Sequence, residues 1–196
     1  MFKEIIKPAL ILFIVCVVIT GALAYVNGVT EPIISENEKV TEQESLAKVL
    51  PGAESFTEPR LAEKLKAEGY TVGDSVVKLY EAQKGGESIG YVVEVSTKGY
   101  GGAMKMFVGI DKAQSVTGLS LTSHNETPGL GSKAADPKFS DQFLGAFPEK
   151  EFFVVKSAAK ADYEIQAISG ATVSSRAVTR GVADAIALIR SMAGGV

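Results

Sequence analysis

The chain has 196 residues, of which 46% are hydrophobic and 22% charged, and its formal net charge is −3. This composition excludes a disordered chain, gives no basic stripe for a nucleic acid, and allows one ordinary domain plus an appendage. One cysteine, Cys16, and one histidine, His124, argue against an internal disulfide, a protein-held metal site and histidine-based nucleophilic catalysis, so any redox or group-transfer chemistry requires a bound cofactor.

The N-terminal segment is apolar and long enough to span a membrane. Residues 8–30 contain no charged side chain, and roughly 20 apolar helical residues cross a bilayer core. Lys3 and Lys7 precede the segment and Glu31 follows it, so the positive-inside tendency places the N-terminus in the cytoplasm and the rest outside. Ala22-Leu23-Ala24 also fits the cleavage site of a signal peptide, but the uncharged run continues beyond it. The sequence therefore predicts a single-pass anchor, residues 1–30, in the cytoplasmic membrane.

Two helices are predicted between the anchor and the main domain, in a helical linker region over residues 31–75. The first covers residues 35–50, with Ser35 or Asn37 as its cap and Pro51-Gly52 as its end. The second lies within residues 59–69, where Leu61 and Leu65 are four residues apart.

The remaining residues, 76–196, predict an extracytoplasmic domain of the α+β class, with helices flanking a mainly antiparallel sheet. Short β-branched or alternating runs predict strands at residues 76–82, 89–96, 104–111, 115–122 and 152–155. A short helix over residues 136–147 places Phe139 and Phe143 on one face. A final helix over residues 173–192 has an apolar stripe formed by Val178, Val182, Ala185, Ile186 and Ile189.

Three glycine-rich segments lie between these elements: KGYGGAM (residues 98–104), HNETPGLGSK (124–133) and ISGAT (168–172). Taken singly, such segments are typical of turns. His124 considered alone is interpreted as a surface loop residue, and Glu126 as a solvated side chain. Glycine also lets backbone N–H groups approach a phosphate or a flat ring closely. Both interpretations stay open for each segment considered alone.

The ISGAT segment directly precedes the final helix, which places Thr172 at the predicted N-cap position. A threonine there ordinarily accepts a hydrogen bond from an orphan N–H group of the first turn. The same turn carries the positive end of the helix dipole, so a phosphate group would be stabilised there. Arg176 and Arg180 follow as possible partners for the added negative charge. The pattern predicts a good place for a phosphate without showing how that phosphate is held.

The three segments in this order resemble the FMN-binding domain of the RnfG subunit of the Rnf electron-transport complex. The related NqrC subunit of the sodium-pumping NADH:quinone reductase shares that domain. The apolar N-terminus and VLPGA (residues 49–53) extend the resemblance over nearly the whole chain, and the length of 196 residues favours the Rnf protein. The sequence departs from the family pattern at Gln166, where the family has an aspartate six residues before the threonine; the SGAT core is intact.

The resemblance implies a set of site residues. In the family, the threonine of the motif carries FMN through a phosphoester bond made by an FMN transferase, which assigns that role to Thr172. The other cofactor-binding residues implied are Ser169, Gly170 and Ala171, then Glu126, Thr127, Gly129, Leu130 and Gly131, and finally Lys98 and Gly101.

The resemblance also implies a role in electron transfer. The chain would relay electrons as a carrier among the other membrane subunits of an ion-translocating ferredoxin:NAD+ oxidoreductase, without being a complete enzyme. Three alternatives stay open: an anchored donor to a separate extracytoplasmic reductase, the NqrC subunit of the quinone reductase, and a flavin-free binding module whose glycine segments are only turns.

Overall fold

The first 49 residues contain a single long helix, α1 (Phe2–Val49). In this computed structural model the chain is described over residues 2–194, with side chains described over 9–31 and 42–194. The predicted start of a separate helix at Ser35 or Asn37 is wrong, because α1 continues through both positions; their side chains lie outside the described residues. Within α1, residues Ala9–Glu31 form a 23-residue stretch long and apolar enough to be a candidate membrane span.

The chain divides into two compact units, Met1–Glu42 and Gln43–Val196. The predicted boundaries at residues 30 and 75 stay predictions, but residues 43–75 belong to the second unit and supply it with a helix end, two strands and a short helix. The short elements are β1 (Ser55–Phe56), β2 (Arg60–Leu61) and α2 (Ala62–Ala67). The predicted second helix is α2, but Leu61 lies in β2 before it and is 53% exposed, whereas Leu65 is in the helix and fully buried.

The second unit is built on an antiparallel sheet whose centre is the predicted meander. Its long strands are β3 (Val76–Lys84), β4 (Glu87–Lys98), β5 (Ala103–Asp111) and β6 (Ser115–Ser123). The short strand β7 (Gly145–Ala146) continues the sheet beyond β6, and β1 and β2 both pair with β3. Every pairing in this seven-stranded sheet is antiparallel, which confirms the predicted α+β class.

The alternation of side chains along the strands gives the sheet two buried faces. On β5, Met106 and Val108 belong to one apolar cluster and Phe107 to the other, as a period of two requires. The larger cluster packs beneath α4 (Thr172–Ala193), and all five residues of the predicted stripe are buried there. The smaller cluster includes Leu46, Val49 and Leu50, which cover the opposite face.

A pair of glycines lets the end of α1 approach that second face closely. Gly109 of β5 and Gly118 of β6 are opposite each other in the ladder, and a Cβ on Gly118 would lie 2.6 Å from the Val49 Cα. The Thr117 hydroxyl donates a hydrogen bond of 2.6 Å to the Val49 carbonyl. The helix end therefore contacts the sheet backbone directly, with its last carbonyl satisfied.

The segment after β6 is less regular than predicted. The single helix expected over residues 136–147 is instead α3 (Pro137–Ser140), a 3-10 turn (Asp141–Phe143) and then β7. Phe139 and Phe143 are still both buried and meet edge to face, with ring centroids 5.6 Å apart. The predicted strand near 152–155 is β8 (Phe153–Val155), which pairs in parallel with the unpredicted β9 (Glu164–Gln166).

Candidate functional site

A cavity of about 550 Å³ opens where the three glycine-rich segments meet. Its volume is within the range of small-molecule binding sites. Tyr100 comes from the turn between β4 and β5, and the start of α4 forms the opposite wall. The lining residues are Tyr100, Glu126, Thr127, Leu130, Gly131, Gly170, Ala171, Thr172, Val173 and Ser174. The sheet and α4 thus bring together segments that are far apart in the sequence.

Thr172 is the first residue of α4 and not its N-cap, so the predicted cap is wrong. Ala171 holds the N-cap position, with φ −132° and ψ 45°, and no side chain caps the helix. Within the described part of the chain, the half-buried Thr172 hydroxyl makes no hydrogen bond. The first helical hydrogen bond runs from the Ser175 N–H to the Ala171 carbonyl, at 3.0 Å, so the N–H groups before it have no acceptor in the helix itself. Both the hydroxyl and the helix terminus are therefore available to a ligand.

Ser175, and not Thr172, makes the side-chain hydrogen bonds between the ISGAT segment and the start of α4. Its buried hydroxyl accepts a hydrogen bond of 3.0 Å from the Ile168 N–H and donates one of 2.9 Å to the Ala171 carbonyl. Gly170, at φ +78°, turns the chain into the helix. The shape of the ISGAT segment is thus fixed by a side chain that does not line the cavity.

Glu126 is buried, with 6% of its surface exposed, so the expectation of a solvated side chain is wrong. Its Oε1 accepts a hydrogen bond of 2.9 Å from the Gly101 N–H, and its Oε2 accepts one of 2.5 Å from the Ser174 hydroxyl. Its own N–H donates to the His124 Nδ1 at 3.3 Å. Glu126 therefore connects its own glycine-rich segment and KGYGGAM to the first turn of α4, which directly follows the ISGAT segment.

Two glycines leave the space that the Glu126 carboxylate fills. A Cβ on Gly99 would overlap Oε1, and a Cβ on Gly131 would overlap Oε2 and lie 2.6 Å from the Ser174 Oγ. Gly99 also approaches the Met104 sulfur, which belongs to the core. In these two positions glycine is required by close packing around a side chain, a reason additional to turn formation.

The structure does not bring every predicted site residue to the cavity. Lys98 is exposed at the end of β4, and Gly101 reaches the site only through its bond to Glu126. Ser169 lines a separate cavity of about 480 Å³ on the far side of the ISGAT segment, and the Gly129 N–H bonds to the Ser132 hydroxyl. The predicted phosphate partners Arg176 and Arg180 are exposed and are not among the lining residues described for the main cavity.

Sequence reasoning missed four residues of this region. Tyr100 and Val173 line the cavity and are 77% and 51% exposed, and Ser174 and Ser175 are buried and hydrogen-bonded. Tyr100 lies inside the KGYGG motif, and the other three are the residues that follow SGAT, so a position in or next to a motif was the signal that could have identified them. Their roles depend on which way each side chain points.

The fold and the cavity define a flavin mononucleotide-binding domain: the family model "FMN-binding domain" matches residues 99–187, which contain every lining residue. A second family model, "RnfG N-terminal region", matches residues 1–49. The chain belongs to the RnfG family, whose members are subunits of the Rnf complexes.

Two relatives with similar sequences agree with this membership, and one solved structure serves for comparison of the fold alone. In Acetobacterium woodii, the RnfG-type subunit of the Na+-translocating ferredoxin:NAD+ oxidoreductase complex is 38% identical over 186 residues, which cover 92% of this chain and 89% of the relative. The counterpart in the proton-translocating complex of Clostridium ljungdahlii is 33% identical, covering 94% and 91%. The crystal structure of NqrC from Shewanella oneidensis has a TM-score of 0.47 at 22% identity and covers 57% of this chain and 55% of that one.

Proposed function

We propose that this chain is a membrane-anchored electron carrier that holds FMN covalently on Thr172 as part of an ion-translocating ferredoxin:NAD+ oxidoreductase complex. The observation that carries the proposal is the unpartnered Thr172 hydroxyl at the edge of a cofactor-sized cavity, in a domain matched by the FMN-binding family. Bound FMN supplies the one- and two-electron redox chemistry that the side chains of this chain lack.

The residues present fit FMN. Thr172 and the first N–H groups of α4 offer an attachment point and donors for a phosphate group, and the helix dipole favours its negative charge. Tyr100, Leu130 and Val173, all exposed, form an apolar rim against which a flat ring can pack. The phosphate and the ring thus each have a matching part of one cavity.

Attachment replaces one oxygen substituent on the FMN phosphorus by the Thr172 oxygen. The new phosphoester bond forms, the bond to the leaving group of the flavin donor breaks, and the hydroxyl proton departs with that group. An FMN transferase would catalyse this exchange. A covalent bond suits a carrier on the outer face of the membrane, because a dissociable flavin would be lost to the surrounding medium.

The test of attachment uses the full chain coexpressed with an FMN transferase. A phosphoester survives denaturation, so the wild-type band on a denaturing gel should fluoresce, and its mass should exceed that of the bare chain by one FMN less one water. Thr172→Ala should lose both signals, and Ser175→Ala should keep them. Fluorescence retained by Thr172→Ala would overturn the attachment site, and a wild-type chain that never fluoresces would overturn the flavin proposal.

The proposed orientation, with the second unit outside the cytoplasmic membrane, has its own test. Lys3 and Lys7 precede the apolar stretch, and the first acidic residue after it is Glu31. Protease should digest the C-terminal unit when it is added to intact cells that lack an outer membrane, and should leave that unit intact in inverted vesicles. Digestion in inverted vesicles alone would show that the orientation is the opposite one.

A further inference from the structure

We infer that Glu126 is the positioning residue of the flavin site: its buried carboxylate ties two glycine-rich segments to the first turn of α4 and lies at the cavity wall. The inference rests on the proposed function, since it concerns how this site holds and tunes FMN. It assigns Glu126 no part in forming the phosphoester bond.

The first argument is connectivity. Gly101 and Ser174 are 25 and 48 residues away from Glu126 in the sequence, and both donate hydrogen bonds to its carboxylate. Each of the three residues lies in a different wall segment of the site. Loss of Glu126 would remove both hydrogen bonds, and with them the described side-chain hydrogen bonding of the Gly101 turn and of the first turn of α4 to the segment that carries Leu130.

The second argument is charge. Both carboxylate oxygens accept hydrogen bonds, one from an N–H and one from a hydroxyl, so the carboxylate is held in place at the cavity wall. Glu126 also lines the cavity while being buried itself, so water screens its charge less than it would screen an exposed carboxylate. Reduction adds negative charge to a flavin, and a nearby fixed negative charge disfavours it. Neutralising Glu126 should therefore raise the midpoint potential of the attached flavin.

Asp184 provides a matched control, because its surroundings resemble those of Glu126 but lie outside the cavity. The Asp184 carboxylate accepts hydrogen bonds from the Ser75 N–H, at 3.2 Å, and from the Ser75 hydroxyl, at 2.5 Å. A glycine, Gly73, makes room for it, as Gly131 does for Glu126. Asp184→Asn therefore neutralises a partly buried, hydrogen-bonded carboxylate elsewhere in the same unit without removing a charge from the flavin site.

The experiment compares Glu126→Gln and Asp184→Asn in the full chain with FMN attached. Both variants should lower the thermal midpoint of unfolding. Only Glu126→Gln should raise the flavin midpoint potential and weaken the visible circular dichroism of the flavin. Ser174→Ala, which removes one hydrogen bond and keeps the carboxylate, should weaken the circular dichroism by a smaller amount.

The outcomes separate the two proposals. A wild-type chain without covalent flavin would contradict the proposed function itself. A flavin-bearing wild type whose potential and circular dichroism are the same in Glu126→Gln as in Asp184→Asn would overturn the positioning role. If Glu126→Gln does not fold, Ser174→Ala decides: an unchanged flavin spectrum in that variant overturns the inference, and a weakened one supports it.

Discussion

The structure predicts that Thr172→Ala removes the flavin while leaving the stability of the flavin-free chain almost unchanged. Replacing a threonine at an N-cap position by alanine lowers the free energy of unfolding by about 1 kcal/mol. Thr172 is instead the first helical residue, and its hydroxyl has no hydrogen-bond partner among the described residues. The usual reason for a loss of stability is therefore absent.

Two small contributions to the free energy of unfolding still change in Thr172→Ala, and they have opposite signs. The Thr172 side chain is partly buried, so its methyl group contributes less than the roughly 0.8 kcal/mol of a fully buried group. Alanine is the better helix former by up to about 0.7 kcal/mol in a helix interior, and by less at the first position. We expect the free energy of unfolding to change by less than about 0.5 kcal/mol.

Urea unfolding of the flavin-free chains, followed by circular dichroism, measures this difference. Ser175→Ala is the opposite control: it removes the acceptor of the Ile168 N–H and should cost about 1–3 kcal/mol while keeping the attachment site. A loss above about 1 kcal/mol for Thr172→Ala would refute the reasoning, because it would mean that the hydroxyl is engaged in the folded chain. So would a Ser175→Ala variant as stable as the wild type.

Two further predictions concern the rest of the second unit. Thr117→Val should lower the free energy of unfolding by about 1–3 kcal/mol, because it leaves the Val49 carbonyl without its hydrogen bond. Gly118→Ala should also lower it, because the added Cβ would overlap Val49. Urea unfolding measures both variants, and wild-type stability in either would contradict the described contact. Burial, and secondly the charge of Glu81, raise the pKa of Tyr91 above the ordinary 10.0. Because the folded state then favours the neutral phenol, this contribution to stability is complete below pH 10.0 and is lost as the pH rises through the folded-state pKa. An ultraviolet titration should show a late-ionising tyrosine that Tyr91→Phe removes, and an unchanged curve would contradict it.

The meander could be predicted because its signal is local. Alternation along β5 places Met106 and Phe107 on opposite faces of the sheet. Gly85-Gly86 forms the turn between β3 and β4. The short strands β1, β2, β7 and β9 carry two or three residues each, too few for any periodicity. Their pairing is decided by partners elsewhere in the chain.

The site was predictable in its segments and not in its internal contacts. The three glycine-rich motifs do converge on one cavity. The burial of Glu126 depends on Gly101 and Ser174, which only the tertiary fold brings together. The start of α4 differs from the prediction by a single residue, which moves Thr172 from the N-cap position to the first helical position and leaves the helix without a side-chain cap.

The covered second face of the sheet determines where this chain can be shortened. Tyr80, Val92 and Phe107 are buried on that face together with Leu46 and Val49 from the end of α1. A fragment starting at residue 76 would expose those three side chains to water and invite aggregation. A water-soluble fragment, made for crystallisation or for measuring the flavin away from lipid, therefore has to begin no later than Gln43, where the second compact unit begins.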